Sequence, residues 1–284
     1  VTKKLAFIYK TKANKLLAAN EFERIGVEAH DLEVRREAWE IAIDYYTQSN
    51  QVDKLYPLYK RYVSNFQKPL GYVIELRQKI AEHSKSTRDI GGYYSELRKI
   101  VVSDAGGGSE RTDRTRYLAA LAGLELAQPS IKQFTQIKLI KPFASNLQKK
   151  QKAMRVMKGK LEQLFEYGVD EVTAAATYYL AEMYYDFSNS LMDSERPNDL
   201  SAMEREQYDL SIEEQAFPFE EKAIQVHEKN LELMKNDIYN QWVGNSIDKL
   251  AKLVPARYSK VEESSGFIED MNLVKFDEII NPPK

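Results

Sequence analysis

Cysteine is absent from the 284 residues, and that absence rules out disulfides, thiolate zinc sites and a cysteine nucleophile. It fits both a reducing and an oxidising compartment, so it does not choose between cytoplasm and periplasm. Breakers are sparse: 9 prolines and 12 glycines are few for a chain this long and suit an all-helical fold. Charge of one sign is lacking too. Lysine and arginine number 41 against 43 acidic residues, and the net charge of -2 exerts no overall pull toward nucleic acid or membrane. No run approaches the roughly 18 consecutive apolar residues of a membrane helix. The opening VTKKLAFIYK has too short an apolar patch for a signal peptide. The chain does not begin with methionine, which suggests a fragment or processed product of something longer.

Only three histidines occur, His30, His83 and His227, far apart in sequence and outside any H-E-x-x-H pattern. Each is read as an interface or surface residue. The triple glycine at 106–108 lacks the lysine and hydroxyl residue of a phosphate-wrapping loop and reads as a flexible break between helices. Carboxylates such as Glu213, Glu214, Glu220 and Glu221 are abundant, but acid–base catalysis needs carboxyls in divergent environments across a cleft. No catalytic residue, metal ligand or cofactor site is expected, and no small-molecule substrate.

Helical periodicity is what the chain does have. In the segment beginning at Asp170, Thr177, Leu180, Ala181 and Tyr184 share the offsets at which Trp39, Ala42, Ile43 and Tyr46 recur earlier. Val73, Leu76, Arg77 and Ile80 repeat them, as do Thr115, Leu118, Ala119 and Ala122. Arg77 stands where a small residue is preferred, which makes its unit degenerate. Starts fall near residues 36, 70, 112, 174 and 236. Second helices follow through Leu55, Tyr59 and Tyr62, through Tyr93 and Leu97, and through Ala223, His227 and Asn230. A first helix at 3–19, with Leu5, Ile8, Leu16 and Leu17 on its apolar side, completes a truncated hairpin. Ser109 is the expected cap of the helix after the glycines, and SIKQFTQIKLI with Phe134 its partner. The segment 142–168 reads as an extra long helix buried along Phe143, Leu147, Met154, Met157, Leu161, Leu164 and Phe165 and ended by Gly168. Residues 192–215 form a hydrophilic insertion in which Ser201 and Glu204 have capping-box spacing.

These offsets predict an all-α fold, an α-α superhelix of antiparallel helix hairpins, irregular in its C-terminal half. One continuous domain spans 1–284: N-terminal hairpins to 105, a middle hairpin with the long helix at 109–168, C-terminal hairpins at 169–255 and a peripheral tail at 256–284. An irregular helical bundle is the competing architecture.

Two surfaces stand out as binding candidates. If the first helix of each pair lines the concave side, Tyr178, Glu182, Tyr185 and Asp186 project there, with Asn240 and Ile247 in the next unit. Such a mixture of aromatic and acidic groups suits a peptide or helix of another protein. Many of the eighteen tyrosines are assigned to packing instead, Tyr46, Tyr59, Tyr62 and Tyr184 among them. The second candidate is basic. From Lys132 to Lys160 no acidic residue interrupts nine cations, whereas between Glu162 and Glu228 only Arg196, Arg205 and Lys222 are basic. Lys149, Lys150, Lys152 and Arg155 offer nucleic acid or anionic lipid a salt-sensitive strip. The plainer expectation is that the strip neutralises the acidic hairpin beside it.

The offsets resemble the W-x2-L-G-x2-Y and A-x3-F signature of tetratricopeptide repeats, moderately over 34–69 and 174–253 and weakly elsewhere. That resemblance implies a non-enzymatic scaffold that assembles other proteins. Chaperone-binding members clamp a C-terminal carboxylate with Lys, Arg and Asn. This chain offers Tyr178, Glu182 and Asp186 there, so the activity is not carried over. The runs ERTDRTRYLAA, LSAMEREQYDLSIEEQAFPFEEKAIQVHEKN and LAKLVPARYSK are similar to the C-terminal part of large bacterial tetratricopeptide proteins of envelope machinery, gliding-motility and Tol/Exb-type motor systems. They imply a periplasmic or envelope location, with the cytoplasm as alternative.

Overall fold

The computed structural model describes residues 15–259, which form helices joined by short turns. In chain order these are α1 (Lys15–Glu28), α2 (Leu32–Gln48), α3 (Val52–Asn65), α4 (Leu70–Ser86), α5 (Ile90–Ala105), α6 (Asp113–Gln136), α7 (Phe143–Leu164), α8 (Asp170–Met192), α9 (Ala202–Leu231), α10 (Gln241–Leu253) and the single turn α11 (Pro255–Tyr258). Each packs on its successor, and α4, α6, α8 and α10 also touch in series. The fold is an all-α superhelix in which every second helix belongs to one stacked row. Those first-row helices, with α2, are the five starts expected from the sequence. Among the described residues no helix is long and apolar enough to cross a membrane.

Local chemistry sets the helix ends. Asp31 caps α2, its carboxylate accepting from the Glu33 and Val34 amides at 2.8 and 3.1 Å. Ser201 and Glu204 form the expected capping box, but it opens α9 itself. Most of the supposed insertion at 192–215 is therefore helix, and α9 runs unbroken through Pro218. Burial of Ile212 and Ala216 outweighs the lost amide donor at that proline, which costs about 3 kcal/mol in an ordinary helix. Likewise SIKQFTQIKLI is no partner helix. Its residues up to Gln136 continue α6 beyond Pro129, held by buried Ala127, Ser130 and Phe134, and α7 is the partner. The helix at 142–168 is thus the second member of an ordinary pair. Of its expected stripe, Met157, Leu161 and Leu164 are buried, whereas Phe165 is 37% exposed.

The glycine segment at 106–108 is packed, not a free linker. A Cβ on Gly107 would lie 2.3 Å from Leu70 Cδ2, so a larger residue there would push the Leu70 side chain aside. A 3-10 turn at Gly108–Glu110 absorbs Ser109, and Thr112 takes over as the cap of α6. Arg111 then reaches back 2.7 Å to the fully buried Asp104.

Three large cores run in sequence, one around Trp39, Tyr46 and Tyr62, one around Ile74, Leu97 and Leu118, and one from Ala120 to Val226, with a small cluster of Ile25 and Ala38 at the N-terminal end. The repeat-signature residues Trp39, Ala42, Ile43 and Tyr46 are all buried, as the spacing requires. Two expectations at the N-terminal end differ. α1 runs on to Glu28, and it buries Ala18, Ala19 and Ile25 while Leu16 and Leu17 are 39% and 40% exposed. Leu5 and Ile8 lie outside the described residues, as does the tail beyond 259.

Candidate functional site

The concave candidates meet at the junction of α8, α9 and α10, where α10 fills much of the space they were expected to line. Trp242 lies 5.6 Å from the Tyr178 ring and 5.1 Å from that of Tyr179, centroid to centroid. Lys249 sits 4.1 Å over the Tyr185 ring and 3.0 Å from Glu182 Oε1. The same carboxylate oxygen is 3.3 Å from Nε2 of the fully buried His227. His227 Nδ1 faces Ser246 Oγ at 3.2 Å, and the buried Asn230 amide donates to that hydroxyl at 2.9 Å and to the Ala174 carbonyl at 3.1 Å. Burial pushes the Glu182 carboxyl up, but the His227 and Lys249 nitrogens close to it outweigh that and hold the group below its usual range. Burial also raises the Tyr178 phenol.

The network therefore ties three helices together. Asn240 caps α10, accepting from the Trp242 and Val243 amides at 3.0 and 3.1 Å, and Ile247 is half-buried. Tyr178, Glu182 and Tyr185 are brought together as expected, but each is half-buried and each contacts α9 or α10. Trp242, Lys249 and Ser246 were missed, because only the fold reveals which face of α10 returns to α8.

Asp186 stands apart from them. It accepts from Lys150 Nζ at 2.6 Å, and Lys150, with none of its surface exposed, also donates to the Phe134 and Ile137 carbonyls at 3.3 and 3.0 Å. The two residues had been placed on separate binding surfaces. Instead they satisfy each other between α7 and α8, since a lysine ammonium is buried only when its donors find acceptors. The remaining strip, Lys149, Lys152 and Arg155, is exposed on one face of α7. Neither Lys152 nor Arg155 has an ion-pair partner among the described residues. Neutralisation by the acidic hairpin thus involves Lys150 alone of these four. Lys158 pairs within its own helix with Glu162, and Lys160 donates to Ser130 Oγ at 2.6 Å.

A more open surface lies at the other end of the α8–α9 pair. Ser188, Met192, Glu213, Glu214, Ala216, Phe217 and Glu220 line a cleft of about 470 Å³. Phe217 is 60% exposed and Met192 39%, an apolar floor beneath three carboxylates. The sequence signal was available: Glu213, Phe217 and Glu220 are spaced by four and three residues, hence on one helical face.

As for catalysis or metal, no group of three or more His, Asp or Glu able to hold an ion occurs among the described residues. His83 stacks on Tyr56 at 3.9 Å and His30 is exposed.

The class of protein this architecture defines is the helical-repeat solenoid. Comparison with protein families finds no match, and neither does comparison with curated proteins. Among solved structures, one described as "Computational Design of Self-Assembling Cyclic Protein Homooligomers" is similar at 13% identity over 89% of this chain and 94% of its own, with a TM-score of 0.27. Similarity that low carries no argument about function.

Proposed function

We propose that this chain is a non-enzymatic scaffold for protein–protein assembly, built from tetratricopeptide-like hairpins, and that its partner presents a basic segment with an apolar anchor to the α8–α9 cleft. The observation that carries this reading is the exposed Phe217 beside Met192 under the rim of Glu213, Glu214 and Glu220. Interfaces concentrate binding energy in a few aromatic anchors ringed by polar groups, and a carboxylate rim selects a cationic partner through complementary potential. We take the segment resemblances as support for a bacterial envelope assembly of the motility or Tol/Exb type, with the chain on the periplasmic side.

A labelled amphipathic Lys/Leu peptide tests the cleft directly. It should bind the wild type, and Phe217→Ala or Glu213→Lys should weaken it at least about tenfold, or about 1.4 kcal/mol. Equal binding by the variants would exclude the cleft. Capture from bacterial envelope extract, run in parallel with Phe217→Ala, tests the location. An envelope protein retained by the wild type and lost by the variant supports it, and a cytosolic protein with that behaviour refutes it.

A second reading rests on the unpaired cations of α7. Lys149, Lys152 and Arg155 would hold nucleic acid or anionic lipid electrostatically, with affinity falling steeply as salt rises.

A further inference from the structure

Arg77 occupies the offset at which the other first-row helices carry Ile43, Ala119 and Ala181, all buried packing residues. A guanidinium there is unusual, since it must be desolvated and then satisfied. Arg77 is 7% exposed, and its satisfaction is incomplete. One terminal nitrogen donates to Glu96 Oε2 at 3.0 Å and the other reaches the Val63 carbonyl at 3.4 Å, while Nε has no hydrogen-bond partner.

The same residue forms part of the floor, supplied by α4, of a cleft of about 490 Å³ between α3 and α5. That size lies within the range of small-molecule sites. Its surroundings are donors of the kind an oxyanion needs. Lys60 and Lys99 stand at the rim, Ser84 and Ser95 line it, Ser64 is turned to the Lys60 carbonyl at 2.7 Å, and Tyr56 and Ile80 add apolar surface. Its two carboxylates are already engaged. Glu96 is shared by Arg77 and Lys99, and Asp89 accepts from the Gly92 amide at 2.9 Å as the cap of α5. Lys60 lies 4.4 Å over the Tyr56 ring, itself stacked on His83, which leaves its ammonium free to turn toward a ligand.

We infer that this cleft binds the phosphoryl group of a small phosphorylated molecule, held by Arg77 Nε and Lys60 with the Ser84 and Ser95 hydroxyls. Arginine and lysine together are the usual phosphate recognition pair, one a directional donor and the other a mobile point charge. Arg77 is fixed by Glu96, so its remaining N–H is preorganised. The cleft is larger than inorganic phosphate requires, and Tyr56 with Ile80 offers a surface for the rest of the ligand. Nothing in the residue pattern signals a small ligand, because one arginine in a degenerate repeat reads only as an imperfect helix. The site lies on α3, α4 and α5, remote in sequence from the α8–α9 cleft, so it stands or falls independently of the scaffold proposal.

The test is a titration of the full chain with phosphoserine, with inorganic phosphate and with unphosphorylated serine, followed by calorimetry and by amide shifts of Gly92 and Ser95. Phosphoserine should bind and move both amides, inorganic phosphate should bind more weakly, and serine should do neither. Lys60→Glu, an exposed rim change that leaves the fold intact, should weaken phosphoserine at least tenfold. Arg77→Lys, which keeps the charge but loses Nε, should weaken it as well, with circular dichroism confirming that the helices persist. Absence of heat and shifts at millimolar phosphoserine would overturn the assignment. So would binding unchanged in Lys60→Glu, or serine binding as well as its phosphate.

Discussion

Lys150 shows how one side chain can be misjudged by its neighbours in sequence. In a run of cations it reads as surface, yet it is fully buried against two carbonyls and Asp186, with its Nζ 4.3 Å over the Phe134 ring. Removing it leaves a carboxylate and two carbonyls without their donor. Lys150→Ala should therefore destabilise the chain by about 2–4 kcal/mol, measured by urea denaturation, whereas Lys152→Ala on the exposed face should change stability by less than about 0.5 kcal/mol. Asp186 is 33% exposed, so Asp186→Asn should cost less, about 1 kcal/mol. Glu182 carries a pH signature of the same kind. Its pKa is depressed in the folded state, so it stabilises above its unfolded pKa and that contribution disappears as pH falls through the folded value. Glu182→Gln should lower stability at neutral pH by about 1–2 kcal/mol and flatten the acid limb of the stability profile below about pH 4.5. An unchanged acid limb would mean that the His227 and Lys249 contacts do not govern its titration.

Helices were more legible than their limits. The recurring offsets located all five first-row helices, because small and aromatic residues at fixed spacing are what hairpin packing demands. What failed was punctuation. The expected boundaries before SIKQFTQIKLI and after residue 215 do not exist: Pro129 and Pro218 lie inside helices whose flanking turns are buried, and packing outweighs a local breaker there. The binding surfaces were less legible still. Tyr178, Glu182 and Tyr185 were grouped correctly, but their engagement by Trp242 and Lys249 depends on how α10 returns across α8, a contact between residues distant in the chain. Glycines test the packing side of this account. A Cβ on Gly26 would fall 2.2 Å from the Trp39 ring, so Gly26→Ala must force α1 and α2 apart and should cost about 1–3 kcal/mol. Gly159 in α7 has open space at that position, and Gly159→Ala should instead stabilise by about 0.5–1 kcal/mol. Thermal or urea unfolding of the two variants should show shifts of opposite sign.

At the scale of the molecule, the three cores communicate through helices that serve two of them at once. α4 gives Val73, Leu76 and Ile80 to the first core and Leu70, Ile74 and Ala81 to the second. α6 gives Leu118, Ala119 and Ala122 to the second and Ala120, Ala127 and Phe134 to the third. No core touches all the helices, so stability should be the sum of local units and nearest-neighbour interfaces, as in other solenoids. Tyr46 makes a sharp probe. Its ring is fully buried in the first core, and its hydroxyl lies 2.8 Å from both Asn20 Oδ1 and Glu23 Oε2, so it joins α2 to α1. Tyr46→Ala should remove about 3–5 kcal/mol from that end. Amide hydrogen exchange should then speed by at least about tenfold, or 1.4 kcal/mol, across α1–α3 while α8 and α9 keep their protection. Equal acceleration in α8 and α9 would mean that the cores unfold as one unit. If protection is retained there, the α8–α9 cleft and the α3–α5 cleft rest on separately stable parts of the array, and a ligand at one can bind without ordering the other.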